Sequence, residues 1–247
     1  MRSPAYSASS GERGLINRAG FPNAGADDCA GRLRRERRYP GVLGVSIGKN
    51  AATPLDRAAA DYIDALRAVH DVADYVAINI SSPNTAQLRE LHATDQLAPL
   101  LGALVHERRR LQTGRQRPLP LVLKLSPDLD EAKLSEVCAV LRQTGIDGVI
   151  ATNTTIKRTE VPGARGIAGG LSGAPLLPRS LRCIRLLRAE LGSGYPLIGS
   201  GGVMSAGDAC SMRDAGADLV QLYTGLVYSG PRLVRECLDA LANSPST

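Results

Sequence analysis

Residues Tyr75 to Thr85 read YVAINISSPNT, an apolar run that ends in small polar residues around a proline. Val76, Ala77, Ile78 and Ile80 are spaced as in a parallel strand covered on both faces, and Pro83 ends it by withholding a ladder donor. The stretch therefore delivers Ser-Ser-Pro-Asn to the C-terminal end of a strand. In α/β folds that end is where ligands bind, so a shared site requires other strands to finish in the same way.

Five other segments do: GVLGVSIG from Gly41, PLVLKLS from Pro120, GVIATNT from Gly148, YPLIGSGG from Tyr195 and LVQLYTG from Leu219. Helical stretches follow the strands, over about Pro54 to Val72, Thr94 to Gln112, Asp130 to Gln143, Leu177 to Leu191, Ala206 to Ala215 and Gly230 to Ala242. Strands alternating with helices indicate βα units and a parallel sheet. A (β/α)8 barrel needs eight units and about 250 residues, so six strands in 247 residues fit it only if two are missing. The first ~40 residues offer no strand. GLINRAGFPNAG (Gly14 to Gly25) is punctuated as a loop, and residues 1–13 are expected to be a disordered tail ahead of a partial barrel over 14–247.

A hydrophobic fraction of 43% supports a real core. No run approaches the ~20 apolar residues of a membrane helix. The five cysteines lack CxxC spacing and sit apart, which suits a reduced, cytoplasmic setting, and three scattered histidines make no metal site. The net charge of +6 is concentrated in RLRRERR (Arg32 to Arg38) and ERRRLQTGRQR (Glu107 to Arg117). Almost no aromatic residues interleave for bases to stack on, so solvated arginines are expected and no nucleic-acid partner.

A parallel barrel gathers its strand exits on one rim. Three Gly-rich pieces, GGLSG (Gly169 to Gly173), GSGG (Gly199 to Gly202) and YTG (Tyr223 to Gly225), follow the last strands, where such barrels hold phosphate. Lys124 ends an apolar strand, where a buried cation needs a partner: either a neighbouring carboxylate or a cofactor that becomes anionic, as a reduced flavin does. Asn17, Asn79, Asn84 and Asn153 would present donors and acceptors to a flat, amide-rich ligand, although asparagine also favours turns. Ser82 is a candidate base. It is weak alone, with no histidine at an evident strand end, and needs a water relay, a polarising neighbour or solvent exclusion.

In order along the chain, GLINRAGFPN, GVSIGKN, INISSPNT, KLSPDL, DGVIATNTT, GGLSG, GSGGV and VQLYTGL resemble the class 2 dihydroorotate dehydrogenases, from about Gly14 to Leu241. The resemblance implies a (β/α)8 TIM barrel holding FMN, oxidation of dihydroorotate to orotate in pyrimidine biosynthesis, and quinone as electron acceptor. Ser82 is implied as the base that takes the C5 proton while hydride leaves C6 for flavin N5. Asn17, Arg18, Ala19, Gly20, Phe21, Asn84, Asn153 and Thr154 are implied to bind substrate. Ser46, Asn79, Lys124 and Thr152 are implied at the flavin, and Gly173, Gly201, Gly202, Tyr223 and Thr224 around its phosphate. The class 1 relatives carry cysteine at the base position and use soluble acceptors, so serine here points to quinone.

Two departures from the family pattern stand out. A flavin-contacting asparagine of the family is Ser46 here, with an expected loss of about 1 kcal/mol in FMN binding. The membrane-associating N-terminal helices and first two barrel strands of the family find no match. The chain is therefore expected to carry strands three to eight with two open sheet edges; the resemblance implies a peripheral place on the cytoplasmic side of the cell membrane, and the loss of those helices a cytoplasmic one. The alternative is a non-catalytic remnant unable to bind FMN.

Overall fold

The computed structural model describes residues 6–9, 11–36, 40–84, 88–92, 94–112 and 117–243. Nine strands are assigned among them: β1 Tyr6–Ser9, β2 Gly14–Asn17, β3 Gly44–Ile47, β4 Tyr75–Asn79, β5 Leu121–Leu125, β6 Gly148–Ala151, β7 Gly170–Gly173, β8 Leu197–Ser200 and β9 Leu219–Gln221. The helices are α1 Ala26–Glu36, α2 Ala58–Val69, α3 Thr94–Arg110, α4 Glu131–Thr144, α5 Leu177–Leu191, α6 Ala206–Asp214, α7 Thr224–Ser229 and α8 Arg232–Asn243.

Six of the strands form one parallel sheet in the order β3-β4-β5-β6-β8-β9. These are the six strands expected from the apolar runs. The sheet is a curled half-barrel whose outer strands, β3 and β9, are not paired with each other. Period-two alternation sorts its two faces. Val76, Ile78 and Ile80 of the β4 segment and Leu121, Leu123 and Leu125 of β5 are fully buried in the core between sheet and helices. The inner face carries Ala77, Val122 and Ile150, with Tyr75 and Ile198 packed on them, as a small apolar floor. One step further along, the same face turns polar at Asn79, Lys124 and Thr152.

Local signals set the helix ends. Asp130 caps α4 by accepting from Lys133 N at 2.8 Å, and Gly145 ends it in the left-handed conformation at φ 74°. Ser205 caps α6 through Asp208 N at 3.2 Å.

The N-terminal region corrects the expectation of a loop and a disordered tail. β1 pairs antiparallel with β2, and β2 with β7, making a three-stranded sheet beside the barrel strands. Its small core is Ile16, Val161, Ala164 and Leu171. β1 falls within the stretch taken for a tail, whose residues 1–5 and 10 lie outside the described set. β7 falls within the GGLSG stretch taken for a phosphate turn alone. Helices α1 and α7 were also not anticipated. The first is held by Ala30 and Leu33 against its neighbours and has acidic residues in its first turn and arginines in its last, matching the helix dipole.

The two basic runs are locally engaged. Arg34 donates to both carboxylate oxygens of Asp71, at 2.8 and 2.7 Å. Glu107 accepts from Arg67 and Arg110, each at 2.7 Å. Arg37, Arg38 and residues 113–116 lie outside the described residues. No helix among those described is long and apolar enough to cross a membrane.

Candidate functional site

The exits of β4, β5, β6, β8 and β9, together with the β2–β7 pair, enclose a cavity of about 650 Å³. From the exit of β2 come Asn17, Ala19, Gly20 and Phe21, and from the exit of β4 come Asn79, Ser82 and Asn84. Lys124 enters from β5, and Thr152, Asn153 and Thr154 from the exit of β6. Gly173, Gly201, Gly202, Tyr223 and Thr224 line the remaining side. Two expected site residues do not line it. Arg18 lies beside Gly169, and Ser46 is exposed on edge strand β3, opposite Ala77.

Lys124 is the only fully charged side chain among the described residues that line the cavity, and no histidine or carboxylate lines it. Burial pushes its ammonium below the ordinary lysine range, and no neighbouring charge among the described residues offsets that. The carboxylate partner considered from sequence is not present among the described residues. Lys124 is half-buried, and an ammonium partly withdrawn from water without a partner is costly, so this position fits an anionic or electron-rich ligand.

A hydrogen-bonded network of amides borders the lysine. Asn79 Oδ1 accepts from Ser81 N and Ser81 Oγ, both at 3.2 Å, and from Asn153 Nδ2 at 3.1 Å. Asn153 Nδ2 also donates to Ser81 Oγ at 3.0 Å, while Asn153 Oδ1 accepts from Thr154 N at 2.7 Å. The Asn153 amide therefore orients Asn79, Ser81 and Thr154 in this geometry. Tyr62, fully buried under β4, donates to the Asn79 carbonyl at 2.8 Å and fixes the strand end from below.

On the other side of the mouth, Asn84 Nδ2 donates to Asn17 Oδ1 at 2.8 Å, and Asn17 Nδ2 donates to Gly170 O at 3.4 Å. Ser82 is buried, and its hydroxyl oxygen accepts from Asn84 N at 3.3 Å. That contact points the hydroxyl without supplying a base to activate it.

The glycine side is a backbone cradle. Gly202 holds φ 91°, and a Cβ there would overlap the backbone of Leu177. Gly173 holds φ 93° and lies against the carbonyl of Arg13. Such positive φ values and close approaches leave room for glycine alone. Beside them, Thr224 Oγ1 donates to Ser172 Oγ at 2.8 Å, and Ser172 donates to Leu15 O at 3.3 Å. The arrangement suits an oxyanion held by backbone amides. Together with the unpartnered lysine, it fits a phosphorylated, electron-accepting cofactor such as FMN.

Sequence reasoning missed Ser172, Leu176, Ser200, Val203 and Gln221 as lining residues. Ser172 and Ser200 lay inside quoted motifs, and Gln221 is the polar residue within the β9 strand, a signal that was available. Among the described residues, no group of His, Cys, Asp or Glu could hold a metal ion.

Comparison with known proteins places this cavity in context. A family model described as dihydroorotate dehydrogenase matches residues 3–244. A curated protein of Leptothrix cholodnii named dihydroorotate dehydrogenase (quinone) is 55% identical over 232 residues, covering 92% of this chain and 67% of that protein. One of Methylibium petroleiphilum with the same name is 51% identical over 231 residues, with 92% and 67% covered. The crystal structure of ligand-free DHODH from Eimeria tenella superposes with a TM-score of 0.89 at 33% identity, covering 98% of this chain and 73% of that one.

Proposed function

The chain belongs to the dihydroorotate dehydrogenase family, and from that membership we propose that its cavity binds FMN and dihydroorotate and oxidises the latter to orotate for pyrimidine biosynthesis, with quinone as acceptor. When bound, FMN supplies the acceptor for the C6 hydride and the route of the electrons to quinone. Lys124 carries the reading, because its desolvated ammonium has no protein partner among the described residues and faces a cavity with no other full charge. That charge would sit where electron density accumulates on the flavin.

Each residue then has a task. Gly173, Gly201, Gly202 and Thr224 hold the phosphate, with Tyr223 beside it. Asn79 and Thr152 meet the flavin edge. Asn17, Asn84 and Thr154 orient the substrate ring, with Asn153 holding Thr154 in place. Ser82 takes the C5 proton. A serine hydroxyl cannot keep that proton at neutral pH, so its own proton must pass in the same step to a water relay that leads out of the cavity. Phe21 and Pro83 add apolar surface to the cavity lining at this end. Contact with the cytoplasmic face of a membrane belongs to the same proposal, because quinones are lipid-soluble.

The test is the visible spectrum of the purified protein supplied with FMN, followed by anaerobic dihydroorotate. A bound flavin band that bleaches on substrate, and bleaches far more slowly in Ser82→Ala at equal flavin content, supports the proposal. A protein that takes up no flavin overturns it.

A further inference from the structure

The exits that carry the proposed substrate residues are tied together by side chains that do not line the cavity. Arg89 sits on the short 3-10 turn Leu88–His92, downstream of the Ser82–Asn84 exit. It donates through Nη1 to Asp128 Oδ2 at 2.8 Å and through Nη2 to the carbonyl of Thr154 at 3.1 Å. Asp128, on the exit of β5, also accepts from the Thr155 hydroxyl and from Ile156 N, the latter at 3.1 Å. Thr155 exchanges backbone hydrogen bonds with Leu171 of β7, at 3.1 and 2.8 Å. β7 pairs with β2, whose last residue, Asn17, accepts from Asn84. Followed from Asn84 through Asn17, β7, Thr155, Asp128 and Arg89, the bonds return to the chain five positions beyond Asn84.

We propose that Arg89 and Asp128 are positioning residues that close a hydrogen-bonded ring around the cavity mouth and so set the placement of Asn84 and Thr154 on the substrate. This rests on the assignment of substrate to that end of the cavity. The guanidinium suits the task because one rigid fork reaches a carboxylate and a carbonyl on two different exits, which a lysine ammonium does not reproduce. The pair is mostly shielded, with side-chain exposures of 24% and 11%, so solvent and salt screen it weakly. Arg158 braces the far side of the ring, donating to Thr155 O at 3.1 Å and Gly169 O at 2.6 Å. The deeper link from Asn153 to Ser81 and Asn79 lies at the strand ends, so Arg89 is the outer tie that governs the loops themselves.

The test compares the parent, Arg89→Gln, Asp128→Asn and Arg89→Lys, each saturated with FMN. Three quantities are read: flavin content, orotate affinity by calorimetry, and hydrogen exchange of residues 150–158 against 198–206. The ring predicts that Arg89→Gln and Asp128→Asn keep their flavin and the exchange of 198–206, exchange faster over 150–158, and lose about tenfold or more in orotate affinity. Arg89→Lys should recover part of that loss. Unchanged exchange over 150–158 overturns the tie, as does a loss of flavin in step with orotate, which would mark general loosening. A parent that holds FMN but binds no orotate refutes the substrate assignment instead, and the exchange comparison still decides whether the ring exists.

Discussion

Asn79 and Lys124 are register partners on neighbouring parallel strands, and both face the cavity from the inner side of the sheet. The asparagine is held from three directions, whereas among the described residues nothing charged holds the lysine. Lys124→Met should therefore raise the melting temperature of the FMN-free protein, by roughly 2–4 °C per kcal/mol of penalty removed, and abolish flavin retention. The sign follows from the lysine pKa being lowered on folding. The charged form bears the penalty at neutral pH, and the parent apo protein gains stability as pH rises towards 10.5, because the folded state releases its proton first. Calorimetric melts of both proteins with and without FMN check this. A methionine variant that melts lower in the apo form, or that stays yellow, would contradict it.

Gly202 should tolerate no side chain. Its φ of 91° and its contact with the Leu177 backbone mean that alanine must shift the start of α5 or the exit of β8. Gly202→Ala is expected to cost about 1–3 kcal/mol of backbone strain and to lose FMN. Gly194→Ala is the control, since nothing lies within 4 Å of a Cβ built there. Equal flavin content in the two variants would remove Gly202 from the phosphate cradle.

The six barrel strands were legible because each is a continuous apolar run whose partners repeat at regular spacing along the chain. β2 was not, because its partner, β7, lies 153 residues on at the Asn17–Gly170 contact, and a strand reading GLIN beside one reading GLSG lacks a β-branched pattern. α1 buries only Ala30 fully, and its sequence is so rich in charged residues that no apolar run marks it. Much of the cavity lining was legible, since strand exits in a parallel sheet must converge, but Ser172, Leu176, Ser200, Val203 and Gln221 were not singled out. Arg18 entered through family resemblance and Ser46 through both its strand exit and that resemblance, and neither lines the cavity. The Arg89–Asp128 tie joins two loops that no local pattern connects, which is why it emerged only in three dimensions.

Asn17 and Asn84 meet across the mouth at 2.8 Å from β2 and from the exit of β4, although they are 67 positions apart in sequence. Their effects should not be additive, because either truncation breaks the same bond. Asn17→Ala, Asn84→Ala and the double variant should show a coupling of about 0.5–3 kcal/mol in orotate affinity. Additive losses would mean that each asparagine meets the ligand independently.

Acid should destabilise the protein in two separable windows. Burial lowers the His92 imidazole from 6.5 to about 4, with the Arg89 and Lys133 charges adding to it, and its Nε2 has no hydrogen-bond partner among the described residues. Its folded pKa is depressed, so its contribution is complete above 6.5 and is lost as pH falls through about 4, on the order of 3 kcal/mol in all. Glu107 is lowered from 4.5 to about 2 by hydrogen bonds first from Arg110, within α3, and then from Arg67, which joins α2 to α3. Its contribution is complete above 4.5 and disappears towards 2. Urea unfolding measured from pH 7 downward should show His92→Leu flattening the upper window and Glu107→Gln the lower one. Because the carboxylate engages two arginines at a helix interface while the imidazole is merely enclosed, Glu107→Gln should lower stability at pH 7 and His92→Leu should act chiefly on the slope. A leucine variant with the parent's full slope between pH 6.5 and 4 would show that His92 is reached by protons in the folded state and that the turn carrying Arg89 opens to solvent.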